Sequence, residues 1–141
     1  MATTTATFSL SSSDLLPSQA LSVSTTNTLF KAGTTTGLDQ VRMGRNEVPT
    51  STSFDLLDAT TAAIDKANQV YISNESTDPT YYVIIIIDAK VIGRLYAGDW
   101  MFTPWNVDDA THDLEVTAYN GTNTIEWACI HEGETLGTQA D

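Results

Sequence analysis

Two histidines, His112 and His131, and eighteen acidic side chains are the groups of this 141-residue chain best suited to chemistry. Each histidine stands beside acids, Asp113 for one and Glu132 and Glu134 for the other. Neither has a partner at the i, i+4 spacing that sets two zinc ligands on one helix face. Calcium asks for several oxygens, and Asp99, Asp108, Asp109 and Asp113 fall in loop-like stretches that can converge, but without the ligand order of an EF-hand. A carboxylate pair for glycoside hydrolysis decides nothing here, because among eighteen acids some pair meets the required separation by chance. The chain also lacks the Gly-x-Ser-x-Gly turn of a serine hydrolase and the glycine-lysine pattern of a phosphate-binding loop. The expectation is a non-enzymatic protein with no catalytic residue, no cofactor and no bound metal.

The residues with more to say are aromatic. Tyr96, Trp100, Phe102 and Trp105 crowd one short stretch. On a strand, Trp100 and Phe102 share one face and Met101 takes the other, while Pro104 ends regular pairing before Trp105. At least one indole is therefore expected at the surface. There it can stack on a sugar ring, as in a carbohydrate-binding module, or anchor a protein interface. The bland alternative is that the cluster closes one end of a core. Asn74-Glu75-Ser76 and Asn120-Gly121-Thr122 match the glycosylation pattern but read as turns. The lone cysteine, Cys129, excludes an intramolecular disulfide, and its place in the alternating run Ile125 to Ile130 marks it as a small core residue.

The elements that must carry these residues are strands. Gln69 to Ser73 and Tyr81 to Ile87 are rich in β-branched and aromatic residues, and the second run predicts a central strand covered on both faces. Asp88-Ala89-Lys90 turns that run into Val91 to Tyr96, a hairpin by spacing. Leu114, Val116 and Ala118 alternate with polar residues, and Asn120-Gly121 leads into Thr124 to Trp127, which predicts a second hairpin. Phe54 to Leu57 reads as a short strand, Thr60 to Lys66 as one helical turn, and the glycine-rich residues 32–53 as a connecting loop.

Seventeen of the first 36 residues are Ser or Thr, yet Phe8 and Leu10 alternate, as do Leu21 and Val23. These four residues are candidate contacts of an extended arm that orders against a partner or its own domain. The fold class that follows is all-β: an antiparallel β-sandwich or jelly-roll-like single domain over residues 51–141, with an extended N-terminal arm and connecting loop over residues 1–50.

Six basic residues against eighteen acidic ones give a net charge of −12, which repels a nucleic-acid backbone. The imbalance is uneven, since residues 69–141 hold two basic and twelve acidic side chains. The Met-Ala-Thr-Thr-Thr start has no basic flank and apolar run of a signal peptide, and no stretch is apolar enough to span a bilayer. A soluble protein made in the cytoplasm, without a membrane or nucleic-acid partner, is expected.

Two runs, Lys66-Ala-Asn-Gln-Val-Tyr-Ile-Ser-Asn74 and Ile92-Gly-Arg-Leu-Tyr-Ala-Gly-Asp-Trp-Met-Phe-Thr-Pro-Trp105, resemble small virion structural proteins of tailed phages of marine bacteria and cyanobacteria. The resemblance covers about residues 66–132, with the Ser/Thr-rich start similar in style. It implies a compact β-domain that acts as a capsid cement or decoration protein on the major capsid protein shell, or else as a tail, neck or fibre component. It further implies a virion location after assembly in the host cytoplasm, virion-protein partners and a homo-oligomer, a dimer or trimer. It brings no catalytic residue with it.

Overall fold

Alternation of apolar and polar residues dominates this chain, and a period of two builds strands. The computed structural model describes residues 3–61, 66–107 and 113–132. It contains β1 Thr5–Ser12, β2 Leu21–Thr28, β3 Gln40–Val48, β4 Ser53–Leu57, β5 Asn68–Asn74, β6 Tyr82–Ile87, β7 Lys90–Tyr96, β8 Trp100–Pro104, β9 Leu114–Tyr119 and β10 Asn123–His131. One short 3-10 turn, Ala59–Thr61, interrupts them. The helical turn expected over Thr60 to Lys66 begins there, and residues 62–65 lie outside the described residues. The chain divides into two compact units, Met1–Asp39 and Gln40–Asp141.

The second unit holds two four-stranded antiparallel sheets, ordered β3-β10-β5-β8 and β4-β9-β6-β7. From β3 onward each strand enters the opposite sheet from its predecessor, except that β6 and β7 stay together. This is the eight-stranded jelly-roll form of a β-sandwich. The inner faces meet in one core: Val48, Val70, Ile72, Ile125, Trp127 and Cys129 come from the first sheet, and Val83, Ile85, Leu95, Leu114, Val116 and Ala118 from the second. Cys129 is buried as expected, and that burial pushes its thiol up to about 11. An unreactive thiol follows at neutral pH.

Three sequence expectations change. Residues 32–53 are not a loop throughout, because β3 runs through them. Its pattern is inverted: Val41 and Met43 point outward, while Arg42, Gly44, Asn46 and Val48 point inward. Gly44 passes directly under the Trp127 indole, where an added Cβ would sit only 3.0 Å from the ring, and Trp127 Nε1–H donates to Asn46 Oδ1 at 2.8 Å. Second, Asn120-Gly121 is not a hairpin turn. β9 pairs with β4 and β6, and β10 with β3 and β5, so this turn carries the chain between sheets. Glycine is needed there for space, since a Cβ at Gly121 would enter the Tyr81 ring. Third, β6 is fully buried on one face only, at Val83 and Ile85, with Ile84 and Ile86 half-buried on the other.

Buried amides pin the two sheets together at the Gly121 end. Asn74 Nδ2 donates to Leu95 O of the second sheet at 3.0 Å and to Asn123 Oδ1 at 2.9 Å. Asn123 Nδ2 in turn donates to Gly121 O at 2.9 Å and Tyr119 O at 3.3 Å. Both amides are completely buried, so each of these bonds offsets a desolvation cost.

The first unit is a β1–β2 antiparallel hairpin with an unbroken register from Thr5↔Thr28 to Ser12↔Leu21. The N-terminal segment thus folds back on itself and is not a single extended arm. Ser12 Oγ helps begin the connection by accepting from Leu15 N–H at 3.1 Å.

Candidate functional site

The aromatic quartet is distributed to three places. Trp105 is 2% exposed and belongs to the core, with its backbone N–H donating to Asn68 O at 2.8 Å. Trp100 and Phe102 lie on the outward face of β8, with Met101 turned to the core, and Trp100 is 52% exposed. Tyr96 sits on the outer face of the other sheet.

Strand register builds a continuous surface around Trp100 and Phe102. Across the first sheet, Met43, Ala128, Tyr71 and Phe102 form one row. Arg45, Glu126, Ser73 and Trp100 form the next row, and Val41, Ile130, Gln69 and Pro104 the row on the other side. Val41 and Met43 are 59% and 60% exposed. Charge is confined to one border, where Arg45 and Glu126 form an exposed ion pair at 3.6 Å. The surface is therefore a largely apolar sheet face with aromatic side chains at one side and flexible aliphatic ones at the other. Such composition matches the core of a protein interface, where aromatics and Met are enriched and charges are depleted. Sequence patterning reaches Trp100 and Phe102 but misses Val41 and Met43, because β3 is disguised by its glycine and arginines. Tyr71 alternates with buried Val70 and Ile72, a signal that could have placed it here.

Tyr96 belongs to a second cluster. Tyr82 stacks on Tyr119 with ring centroids 5.1 Å apart and lies equally near Tyr96. The Arg94 guanidinium sits 4.2 Å above the Tyr82 ring and donates to the Tyr96 hydroxyl at 3.0 Å. That hydrogen bond is the main cause holding Arg94 above its ordinary value. The arrangement places a cation on aromatic rings at the Tyr82–Tyr96 end of the outer face of β6 and β7.

Of the four acidic loop residues singled out in the sequence, Asp99 and Asp113 lie among the described residues. Asp99 Oδ2 accepts from the Tyr96 N–H at 2.9 Å and so stabilises its own turn. Asp108, Asp109, His112 and Glu134 lie outside the described residues. Asp113 instead approaches Asp55 and Glu115, with one oxygen from each within 4.8 Å of the others. Asp113 Oδ1 also accepts from Ala59 N–H at 2.7 Å, and Glu115 Oε1 from Ser53 Oγ at 2.8 Å. Asp55 is pushed above the ordinary carboxylate value, first by partial burial and then by Glu115, Asp113 and Asp58. Exposed carboxylates adopt this spacing with or without a cation. His131 is buried, and beside it Glu132 Oε2 accepts from Ala67 N–H at 2.8 Å, which fastens the end of β10 to the start of β5.

In the first unit, Phe8, Leu10, Leu21 and Val23 share one face of the hairpin, with Leu10 directly opposite Val23. Phe8, Leu10 and Val23 are exposed and Leu21 is half-buried.

In comparisons with known proteins, no family model matches the chain and no curated protein matches it. Among the described residues no helix is long and apolar enough to cross a membrane.

Proposed function

We propose that this chain is a non-enzymatic structural protein of a tailed-phage virion, a cement or decoration protein that binds the major capsid protein shell. The observation that carries the reading is the outer face of the β3-β10-β5-β8 sheet, where Trp100, Phe102, Met43 and Val41 are all exposed. A capsid offers many identical copies of one acceptor surface, and an exposed apolar sheet face suits such an acceptor better than it suits a small substrate. The resemblance of residues 66–132 to virion proteins supports the same reading. The jelly roll agrees at the level of fold analogy alone, because viral capsid domains and lectins share it.

Purified virions test the proposal. The chain is expected to co-sediment with capsids at a copy number in the hundreds, and Met43→Asp with Phe102→Asp should remove it from them without unfolding the sandwich. A few copies per particle would place it in the tail, neck or fibre instead, and virions that lack the chain would overturn the assignment.

Exposed Trp100, with Phe102 two residues along the same strand face, also favours a second reading, a carbohydrate-binding module that stacks sugar rings. Trp100→Ala should then abolish retention on a glycan array, whereas capsid binding that survives on glycan-free shells excludes that reading.

A further inference from the structure

We infer that the outer edge of β1 is a self-pairing surface, and that two copies of the chain join there into one antiparallel sheet. This inference does not depend on the virion assignment.

The hydrogen-bond parity of the hairpin is the first support. Leu29 N–H donates to Thr4 O at 2.9 Å, and these residues stand directly opposite each other in the register that runs on to Ser12↔Leu21. Thr4 and its even-numbered successors on β1 therefore spend their backbone groups on β2. Thr5, Thr7, Ser9 and Ser11 turn theirs outward. Among the described residues β1 pairs with β2 and with no other strand, so this row of donors and acceptors lies along a sheet edge.

The second support is the side-chain pattern. The outward-bonding residues of β1 are all hydroxylic, and they face Thr28, Thr26, Ser24 and Ser22 across the hairpin. Thr7 Oγ1 and Thr26 Oγ1 already lie 3.2 Å apart. When two β1 edges pair antiparallel, residues that bond outward must oppose each other. Ser/Thr then meets Ser/Thr on one face, and the face of Leu10 meets its own copy on the other. The edge is thus complementary to itself, as an isologous two-fold contact requires.

Charge gives the third support. β1 and β2 contain no charged residue and no proline, and no bulge interrupts their register. Sheet edges that stay unpaired are ordinarily protected by lysine, proline or a bulge. Residues 40–141 hold five basic and sixteen acidic side chains, whereas residues 1–39 hold one lysine and two aspartates. Like-charge repulsion between two copies comes mainly from residues 40–141, and a contact made along β1 adds no charged residue to it. β2 is the less open edge, because the chain beyond it folds back with Lys31 N–H donating to Thr36 O at 2.7 Å and Leu38 N–H to Leu29 O at 3.0 Å.

Analytical ultracentrifugation of the full chain should show twice the 15.3 kDa chain mass. Ser9→Pro removes one outward donor and leaves the inward ladder intact, so it should shift the population to monomer, while Ser24→Pro should not. All three tryptophans lie in the sandwich, so unchanged fluorescence reports that it remains folded. Amide exchange of the wild-type chain supplies a readout that no variant can confound. Thr7 and Ser9 should gain at least about tenfold protection as concentration rises, and Ser24 and Thr26 should not. A monomer at every concentration, a Ser9→Pro chain that still dimerises, or a dimer with unprotected Thr7 and Ser9 amides would overturn the inference. A dimer absent from virions would count against the virion assignment only.

Discussion

Trp100 and Trp105 stand five positions apart and meet opposite environments, one mostly exposed and one almost wholly buried. Trp105→Ala empties part of the sandwich core and should cost about 3–5 kcal/mol in urea denaturation. Trp100→Ala should stay within about 1 kcal/mol, because a surface side chain leaves no cavity. The sequence already separates them through the Trp100–Phe102 alternation and the Pro104 break, but not which one faces the core, since that depends on which sheet β8 joins. Asp55 shows the same limit. Its neighbours Asp113 and Glu115 lie some 60 positions away and meet it only through the β4–β9 register. Because burial and these neighbours raise Asp55 above its unfolded value, the folded chain holds that proton more tightly. Stability from this group is therefore lost as pH climbs from the unfolded value through the folded one. Asp55→Asn should raise the thermal midpoint at neutral pH, and the gain should vanish near pH ~3, where Asp55 is largely protonated in both states.

Turns decide the elements. In the β6–β7 hairpin, Asp88 and Ala89 both adopt positive φ, at 52° and 62°, the conformation for which Asn-Gly is favoured. Spacing alone made this hairpin legible despite its unusual residues. Ala89→Gly relieves a left-handed alanine and should stabilise the chain by about 1 kcal/mol, readable as a shift in urea midpoint at constant slope. Asn120-Gly121 teaches the converse. It has the favoured hairpin residues, yet it joins strands of different sheets, because Gly121 is selected by the Tyr81 ring and Asn123 by Asn74 at the end of β5. Strand existence is local and survives in alternation, whereas strand partners are set by contacts far apart in the chain. β3 was hidden for a related reason. Its inward residues answer to Trp127, whose ring requires Gly44 and whose indole nitrogen requires Asn46, and neither resembles a core residue in sequence.

At the scale of the whole molecule, the uneven charge sets how copies can approach. An interface held by ion pairs weakens with salt, since added ions screen the attraction. The contact inferred along β1 contains no charge, and the only long-range electrostatic force between two copies is repulsion between acidic sandwiches. Salt screens that repulsion while backbone hydrogen bonds and apolar contact are little affected. Dimerisation of the full chain should therefore tighten as sodium chloride rises from about 20 mM to about 500 mM, where the screening length falls from roughly 20 Å to roughly 4 Å. Sedimentation equilibrium across that range checks the sign. A dimer that loosens with salt would place the contact on charged residues such as Arg45 and Glu126, and so on the sheet face instead of the hairpin edge.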